Sequence, residues 1–327
     1  MGFARPRDPL RQKVSRHSTR FEPAALVESH TDYFGNFVET VSIPFRHPSL
    51  VVTSVWDVET QPFNDVLASV QMSVAEARQL RAGQRRELHD FLRPSQMVTF
   101  QEGVWRLADE FLPPAPPFSG SLRALDTHLF RTLRYRPGAT DAGTTVEQFL
   151  KVKEGVCQDF AHLMIPVCRA AGIPARYVSG YIETDPVLGP DGEPLDTALN
   201  GATASHAWLE IFTPQGLWVG SDPTNDCLEG ERHLQIGIGR DYADVPPMKG
   251  IFQGSNARSL SVQVRVTRNA DTTAPLPASA SPTLNRRRPD AHADAWTSSS
   301  PAAPDSSGRT SASGCSATGI RSPLSTT

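Results

Sequence analysis

The sequence predicts an α+β protein, and three observations predict it. Alternating apolar positions between residues 27 and 60 read as β-strands. Helical spacing takes over from about Asp65 and runs through several successive apolar stripes. A second β region then follows, with a strand at 176–182 and two alternating segments, His206–Phe212 and Leu217–Ser221, around the turn Thr213-Pro214-Gln215-Gly216.

The chain has 327 residues, a natural length for two domains of about 100–200 residues each. Hydrophobic residues make up 39% and charged residues 20%, as in globular proteins. A net charge of −3 provides no global basic field, so nucleic acid and anionic lipid are not expected partners. No stretch approaches the ~18 uninterrupted apolar residues of a membrane span. The Arg-rich first thirty residues contain no apolar run of the secretory kind, and Pro6 stands where a myristoylation signal places Ser or Thr. The expected location is cytoplasmic.

In chain order, Phe37, Val41 and Ile43 share one alternating face, and Leu50, Val52, Ser54, Trp56 and Val58 another. Asp32-Tyr33-Phe34-Gly35-Asn36 reads as a turn, since Gly and Asn tolerate positive φ. These strands need partners, and Lys13–Phe21 can supply one. Residues 74–92 and 100–112 read as helices, before Pro113-Pro114-Ala115-Pro116-Pro117 forces an extended break. Leu122, Leu125, Leu129 and Leu133 form a third helical stripe, and Thr144 with Glu147 fits the capping box of a fourth. From residue 270 onward Ser, Thr, Ala, Pro and charge dominate, a composition that cannot bury enough surface to offset ordering. The expected organisation is a partial N-terminal β region at 1–62, a helical segment plus core at 63–269, and a disordered tail at 270–327.

Of the four cysteines, Cys157, Cys168, Cys227 and Cys315, none belongs to a CxxC pair or a Cys/His ligand cluster. No metal and no cofactor is expected. On one helix, Cys157 and Cys168 would lie ~16 Å apart, beyond disulfide reach. Phe160, Leu163, Met164, Val167, Cys168 and Ala171 recur at helical spacing, so a buried helix ends before Gly172 and Pro174. Cys157 falls in its first turn. There the unpaired backbone N–H groups and the positive end of the helix dipole favour a thiolate and can hold an oxyanion.

A thiol nucleophile needs a base, and the base an orienting acceptor. A hairpin folded about Pro214, or between Pro214 and Gln215, pairs positions whose numbers sum to 428 or 429, placing His206 opposite Asp222 or its neighbour. A strand His is usually a polar surface or core residue, and Asp-Pro-Thr commonly opens a turn. Taken together, helix-start Cys157, strand His206 and hairpin-paired Asp222 reproduce the logic of a thiol acyl-transfer enzyme. Trp208 and Tyr181 read either as pocket walls or as core packing. Asp159 and His162 read either as partners behind the catalytic groups or as solvent-facing residues.

The segments Gly155–Met164 and Gly172–Tyr181 resemble the core of the bacterial transglutaminase-like superfamily. Ser205-His206-Ala207-Trp208 and Asp222-Pro223-Thr224-Asn225 are similar to its second and third signatures. Asp32–Asn36 resembles the signature of the β-sandwich that precedes that core, and Glu231-Arg232-His233 and Gly239–Val245 its C-terminal stretch. The match runs from roughly residue 5 to 268. It implies a papain-like α+β core with the nucleophile helix on an antiparallel sheet, Cys157 as nucleophile, His206 as base and Asp222 as its orienter. The implied reaction is acyl transfer on a carboxamide or peptide bond through a thioester, resolved by water in a protease or amidase and by an amine in a transglutaminase. Hydrolysis is the favoured reading, with transamidation and a non-catalytic peptide-binding module as alternatives. The partner is then a protein or peptide substrate. Three features depart from the family: the sandwich lacks its first strands, Pro166 interrupts the nucleophile helix at a cost of ~3 kcal/mol, and the tail has no counterpart.

Overall fold

The computed structural model describes residues 5–7, 11–61, 67, 70–80, 88–183, 200 and 205–251, with short pieces at 259–260, 264, 266–268, 312–313 and 320–321. β1 (Gln12–Glu22) runs antiparallel to β4 (Ser49–Thr60), from Gln12 opposite Thr60 to Glu22 opposite Val51. The partner expected from residues 13–21 is therefore present. Val52, Ser54, Trp56 and Val58 are buried along one face of β4, as the alternation predicts. β2 (Leu26–Thr31) and β3 (Phe37–Ser42) form a hairpin across the Asp32–Asn36 turn, with Gly35 at φ 78°. In β3 the buried residues are Val38 and Glu39, one on each face, whereas Phe37 and Val41 are half-buried. The alternation expected for Phe37 and Val41 therefore does not mark a buried apolar face in this hairpin.

The helical layer comprises α1 (Val74–Leu80), a 3₁₀ turn at His89–Leu92, α2 (Glu102–Phe111), α3 (Phe118–Thr132) and α4 (Val146–Val152). The capping box of α4 lies one residue beyond the expected site. Thr145 and Gln148 exchange it, while the Thr144 hydroxyl accepts from the Asp141 N–H in the preceding turn. Two-residue strands β5 (Arg134–Tyr135) and β6 (Glu154–Gly155) pair in parallel just ahead of α5 (Cys157–Ala170).

Helix α5 is the centre of the molecule: every residue from Cys157 to Arg169 is buried. The helix continues through Pro166 to Ala170, close to the limit expected from the sequence. Gly172, at φ 75°, closes the C-terminus, and the Ile173 N–H reaches back to the Cys168 carbonyl at 2.9 Å. α5 packs on an antiparallel sheet built from β7 (Ala175–Ile182), β8 (His206–Phe212), β9 (Trp218–Asp222), β10 (Cys227–Leu228) and β11 (His233–Gly239), in the order β10-β9-β8-β7-β11. This is the α+β arrangement the sequence predicts.

Strand β11 would leave a row of unpaired backbone groups at the sheet edge. Two side-chain amides from the N-terminal region cover it. The Gln12 amide bonds both the C=O and the N–H of Gln235, at 2.7 and 2.9 Å. The Asn36 amide does the same for Ile238, at 2.8 Å each. A bulge between Gln235 and Gly237 turns both residues outward, which a regular strand would not do at a separation of three. The N-terminal strands are thus joined to the sheet that carries the site.

Among the described residues no helix is long and apolar enough to cross a membrane. Of the 270–327 segment, only Ala312–Ser313 and Ile320–Arg321 are described, as two-residue pairings on β4. The expectation for the rest of the tail, and the incidental Cys315, lie outside the described residues.

Candidate active site

Cys157 is the first residue of α5, so its N–H and that of Gln158 have no intrahelical acceptor. The approach to the helix is fixed by Asp159. Its carboxylate accepts from the Val156 N–H at 2.8 Å and from the Thr140 hydroxyl at 2.6 Å. Burial pushes this carboxyl up to about 6 despite both bonds. A Cβ at Gly155 would lie 2.5 Å from Asp159 Oδ2 and 2.7 Å from the Phe149 ring, so only glycine fits this close to Cys157. Cys157 itself is 3% exposed, and its sulfur lies 3.7 Å from the Ser205 carbonyl, immediately before His206.

His206 opens β8 and Asp222 closes β9, and they meet: Nε2 to Oδ2 is 2.7 Å, with both side chains fully buried. The register differs from the one expected. Leu209 pairs with Ser221 and Phe212 with Trp218, sums of 430, because the turn closes at Thr213 and Leu217 with Gly216 at φ 85°. His206 and Asp222 are therefore diagonal neighbours on one face rather than directly opposed. Burial acts against the imidazolium, but the Asp222 charge and the neighbouring Cys157 outweigh it and push His206 up to about 10. Burial likewise opposes the Asp222 charge, yet His206 and then His233 hold its carboxyl well below the usual carboxylate range. With Nε2 bonded to Asp222, Nδ1 is the ring nitrogen left for the thiol.

Several residues that the sequence reasoning left without a role converge on Asp222. Asn225 donates to Oδ2 at 2.7 Å, His233 Nε2 lies 3.3 Å from the same oxygen, and the Thr224 N–H donates to Oδ1 at 3.0 Å. Asn225 and His233 stood in the quoted signatures, but nothing in their spacing pointed at this carboxylate. Tyr135 on β5 was not singled out. Its half-buried phenol is held neutral, with burial the main cause and the Cys157 and Asp222 charges adding to it. No hydrogen bond from its hydroxyl is found among the described residues.

The remaining predicted residues fall into two groups. Trp208 is fully buried, with its ring stacked on His206 at 6.0 Å and edge-on to His233 at 5.2 Å. It backs the His206 and His233 rings from the core. A Cβ at Gly180 would meet the Leu234 carbonyl at 2.1 Å and the Trp208 ring at 2.4 Å, so the ring occupies the space glycine leaves. Tyr181 packs on Trp56 of β4 at 5.2 Å, tying the core to the N-terminal strands. His162 is also buried, and its Nε2 accepts from the Tyr242 N–H at 3.1 Å; burial lowers it to about 4. Neither Asp159 nor His162 faces solvent. That alternative fails because α5 is buried on every side.

His206, Asp222 and His233 bring three potential metal-ligand atoms within 4.8 Å of one another. Their bonding does not fit a metal ion. The Gly230 N–H donates to His233 Nδ1 at 3.2 Å, so the proton of a neutral ring sits on Nε2 and is given to Asp222. A metal at Nε2 would have to strip that ring of its last proton.

Residues 106–223 match the model of the transglutaminase-like superfamily core, and residues 3–59 that of the bacterial transglutaminase-like N-terminal region. An uncharacterised protein of Mycobacterium tuberculosis is 35% identical over 269 residues, covering 79% of this chain and 83% of the relative. The chain belongs to the transglutaminase-like superfamily. A crystal structure of a candidate cysteine protease from Cytophaga hutchinsonii has the same fold, with a TM-score of 0.57 at 23% identity over 74% of this chain and 76% of that one. A protein-glutamine γ-glutamyltransferase of Pseudomonas aeruginosa is 38% identical over 116 residues, 34% of this chain and 17% of that protein. The core match ends at Pro223, one residue past Asp222.

Proposed function

We propose that this transglutaminase-like protein is a thiol-dependent acyl-transfer enzyme acting on carboxamide or peptide bonds. The observation that carries the reading is the buried His206–Asp222 pair at 2.7 Å beside a cysteine at a helix start. His206 takes the Cys157 proton, and the thiolate attacks the substrate carbonyl. The Cys157 N–H holds the developing oxyanion, with the Tyr135 hydroxyl as second donor. His206 then protonates the departing amine and activates the nucleophile that resolves the thioester.

Alkylation of a thiol forms no oxyanion, which separates the two roles. Tyr135→Phe is expected to leave iodoacetamide labelling of Cys157 unchanged while lowering kcat by about 10²-fold, the usual effect of one such donor. Unchanged turnover would remove Tyr135 from the mechanism.

Water is the favoured acceptor, because it outcompetes an amine unless a closed site excludes it. Incubation with a glutamine-containing protein and a fluorescent primary amine decides the reaction class. Released ammonia or cleaved peptide without incorporation is the expected result. Stable incorporation assigns transamidation, in line with the Pseudomonas relative, and neither outcome would favour a non-catalytic peptide-binding module.

A further inference from the structure

We propose that His233 is a positioning residue of the catalytic relay, a donor held in one tautomer that fixes the Asp222 carboxylate toward His206. The inference rests on the acyl-transfer reading. Its ground is geometric. His233 begins β11, the edge strand beyond β7, whereas Asp222 ends β9, inside the far edge strand β10, and the His233 ring lies 3.3 Å from Asp222 Oδ2. The ring is 4% exposed and packs edge-on against Trp208 at 5.2 Å. The Gly230 N–H, at 3.2 Å, requires a lone pair on Nδ1, since a protonated Nδ1 would oppose it donor to donor. One tautomer satisfies both neighbours, with the proton on Nε2 and directed at the carboxylate.

Fixing the tautomer also fixes the charge. The groups acting on the ring are Asp222, His206 and Arg232; burial lowers it below the ordinary histidine value, and Asp222 only partly offsets that. While His206 is an imidazolium, a second cation on the same carboxylate is disfavoured. Asp222 Oδ2 then receives His206, Asn225 and His233 together, and one rotamer of the carboxylate serves all three. Losing the His233 bond frees the carboxylate to turn, weakening its grip on His206 and hence the thiolate–imidazolium pair.

The experiment compares the pH dependence of iodoacetamide labelling at Cys157 in wild type, His206→Ala, His233→Leu and His233→Gln. His233→Leu is expected to label roughly 10- to 100-fold more slowly at neutral pH, the factor carried by one hydrogen bond to a charged group, with the acid limb moved to higher pH. His233→Gln returns an N–H donor near the Nε2 position and is expected to recover most of the rate and the wild-type limb. A structural role alone would not restore the profile through the amide. Should the Leu variant fail to fold, the ¹⁵N shifts of the wild-type histidines test the same claim: His233 is expected as the neutral Nε2–H tautomer at neutral pH. A wild-type profile in His233→Leu, or a His233 that is charged or carries its proton on Nδ1 at neutral pH, would overturn the inference. Slow labelling already in wild type, equal to His206→Ala, would instead overturn the acyl-transfer reading beneath it.

Discussion

Asp222→Ala is expected to lower kcat on an amide or peptide substrate by about 10⁴-fold, the scale seen when a triad loses its orienting carboxylate. The cause is the balance at His206. In the native site Asp222 and Cys157 overcome burial and hold the imidazolium up to about 10. Without the carboxylate the desolvation of a fully buried ring dominates, and His206 becomes a neutral imidazole of unfixed tautomer at pH 7. It then cannot sustain the ion pair with the thiol. Stability carries a second signature. His206 is raised above its usual 6.5, so its contribution is complete below that value and is lost as pH rises toward about 10. Asp222 is lowered from 3.8, so its contribution is present above that value and is lost as pH falls. The melting-temperature gap between wild type and Asp222→Ala should therefore be widest between about pH 4 and 6.5 and shrink by pH 10. A gap that grows with alkalinity would contradict the assignment.

Arg169→Met is expected to be the most destabilising substitution outside the site. The Arg169 guanidinium is 3% exposed and ends a four-way junction: Nε donates to the Ala175 carbonyl at 3.0 Å, Nη1 to the Arg93 carbonyl at 2.8 Å, and Nη2 to the Arg240 carbonyl at 2.7 Å. It joins the C-terminus of α5, the start of β7, the segment before α2 and the loop after β11. Methionine fills the volume but leaves buried carbonyls unpaired, at about 1–3 kcal/mol each. A total near 3–5 kcal/mol corresponds to a drop in melting temperature of roughly 10 °C or more for a chain of this size. Arg169→Lys should recover little, since one ammonium cannot span the fork. A melting temperature within about 2 °C of wild type for the Met variant would refute this role.

Arg169 also marks the limit of what the sequence discloses. In the chain it is an ordinary basic residue in the last turn of a helix, where a favourable dipole interaction would explain it. Its partners lie up to 76 residues away and are carbonyls, which carry no sequence signature. The same holds for Gln12 and Asn36, whose amides complete β11 from more than 200 positions away. By contrast the strand–helix–sheet order, the limits of α5, and the meeting of His206 with Asp222 were legible. Each rests on periodicity or on a hairpin, where local rules set the geometry. Even there one residue went astray. Gly216 adopts a left-handed conformation that lengthens the loop, changing direct opposition into a diagonal contact. The Thr145 capping box slipped in the same way, because Thr144 and Thr145 are equally good caps by composition and only the Asp141 turn distinguishes them.

Charge at the site is similarly a product of packing. Asp126 on α3 lies behind Ser221 and Asp222, where burial, aided by the Asp222 charge and opposed by Arg123, pushes it up to about 8. A neutral Asp126 adds no second carboxylate charge beside Asp222 at neutral pH.

The central claim, that His206 activates the sulfur of Cys157, is tested most directly by timed iodoacetamide labelling at near-neutral pH with each cysteine followed by peptide mass. Among the described cysteines Cys227 is the most accessible thiol, at intermediate burial against 3% exposure for Cys157, so accessibility alone ranks Cys227 ahead of Cys157 and Cys168. Burial pushes Cys168 up to about 12 and also raises Cys227. The account predicts that Cys157 is modified before Cys168 and Cys227 and that His206→Ala removes its lead. Modification of Cys227 before Cys157, or a rate at Cys157 indifferent to His206, would contradict it.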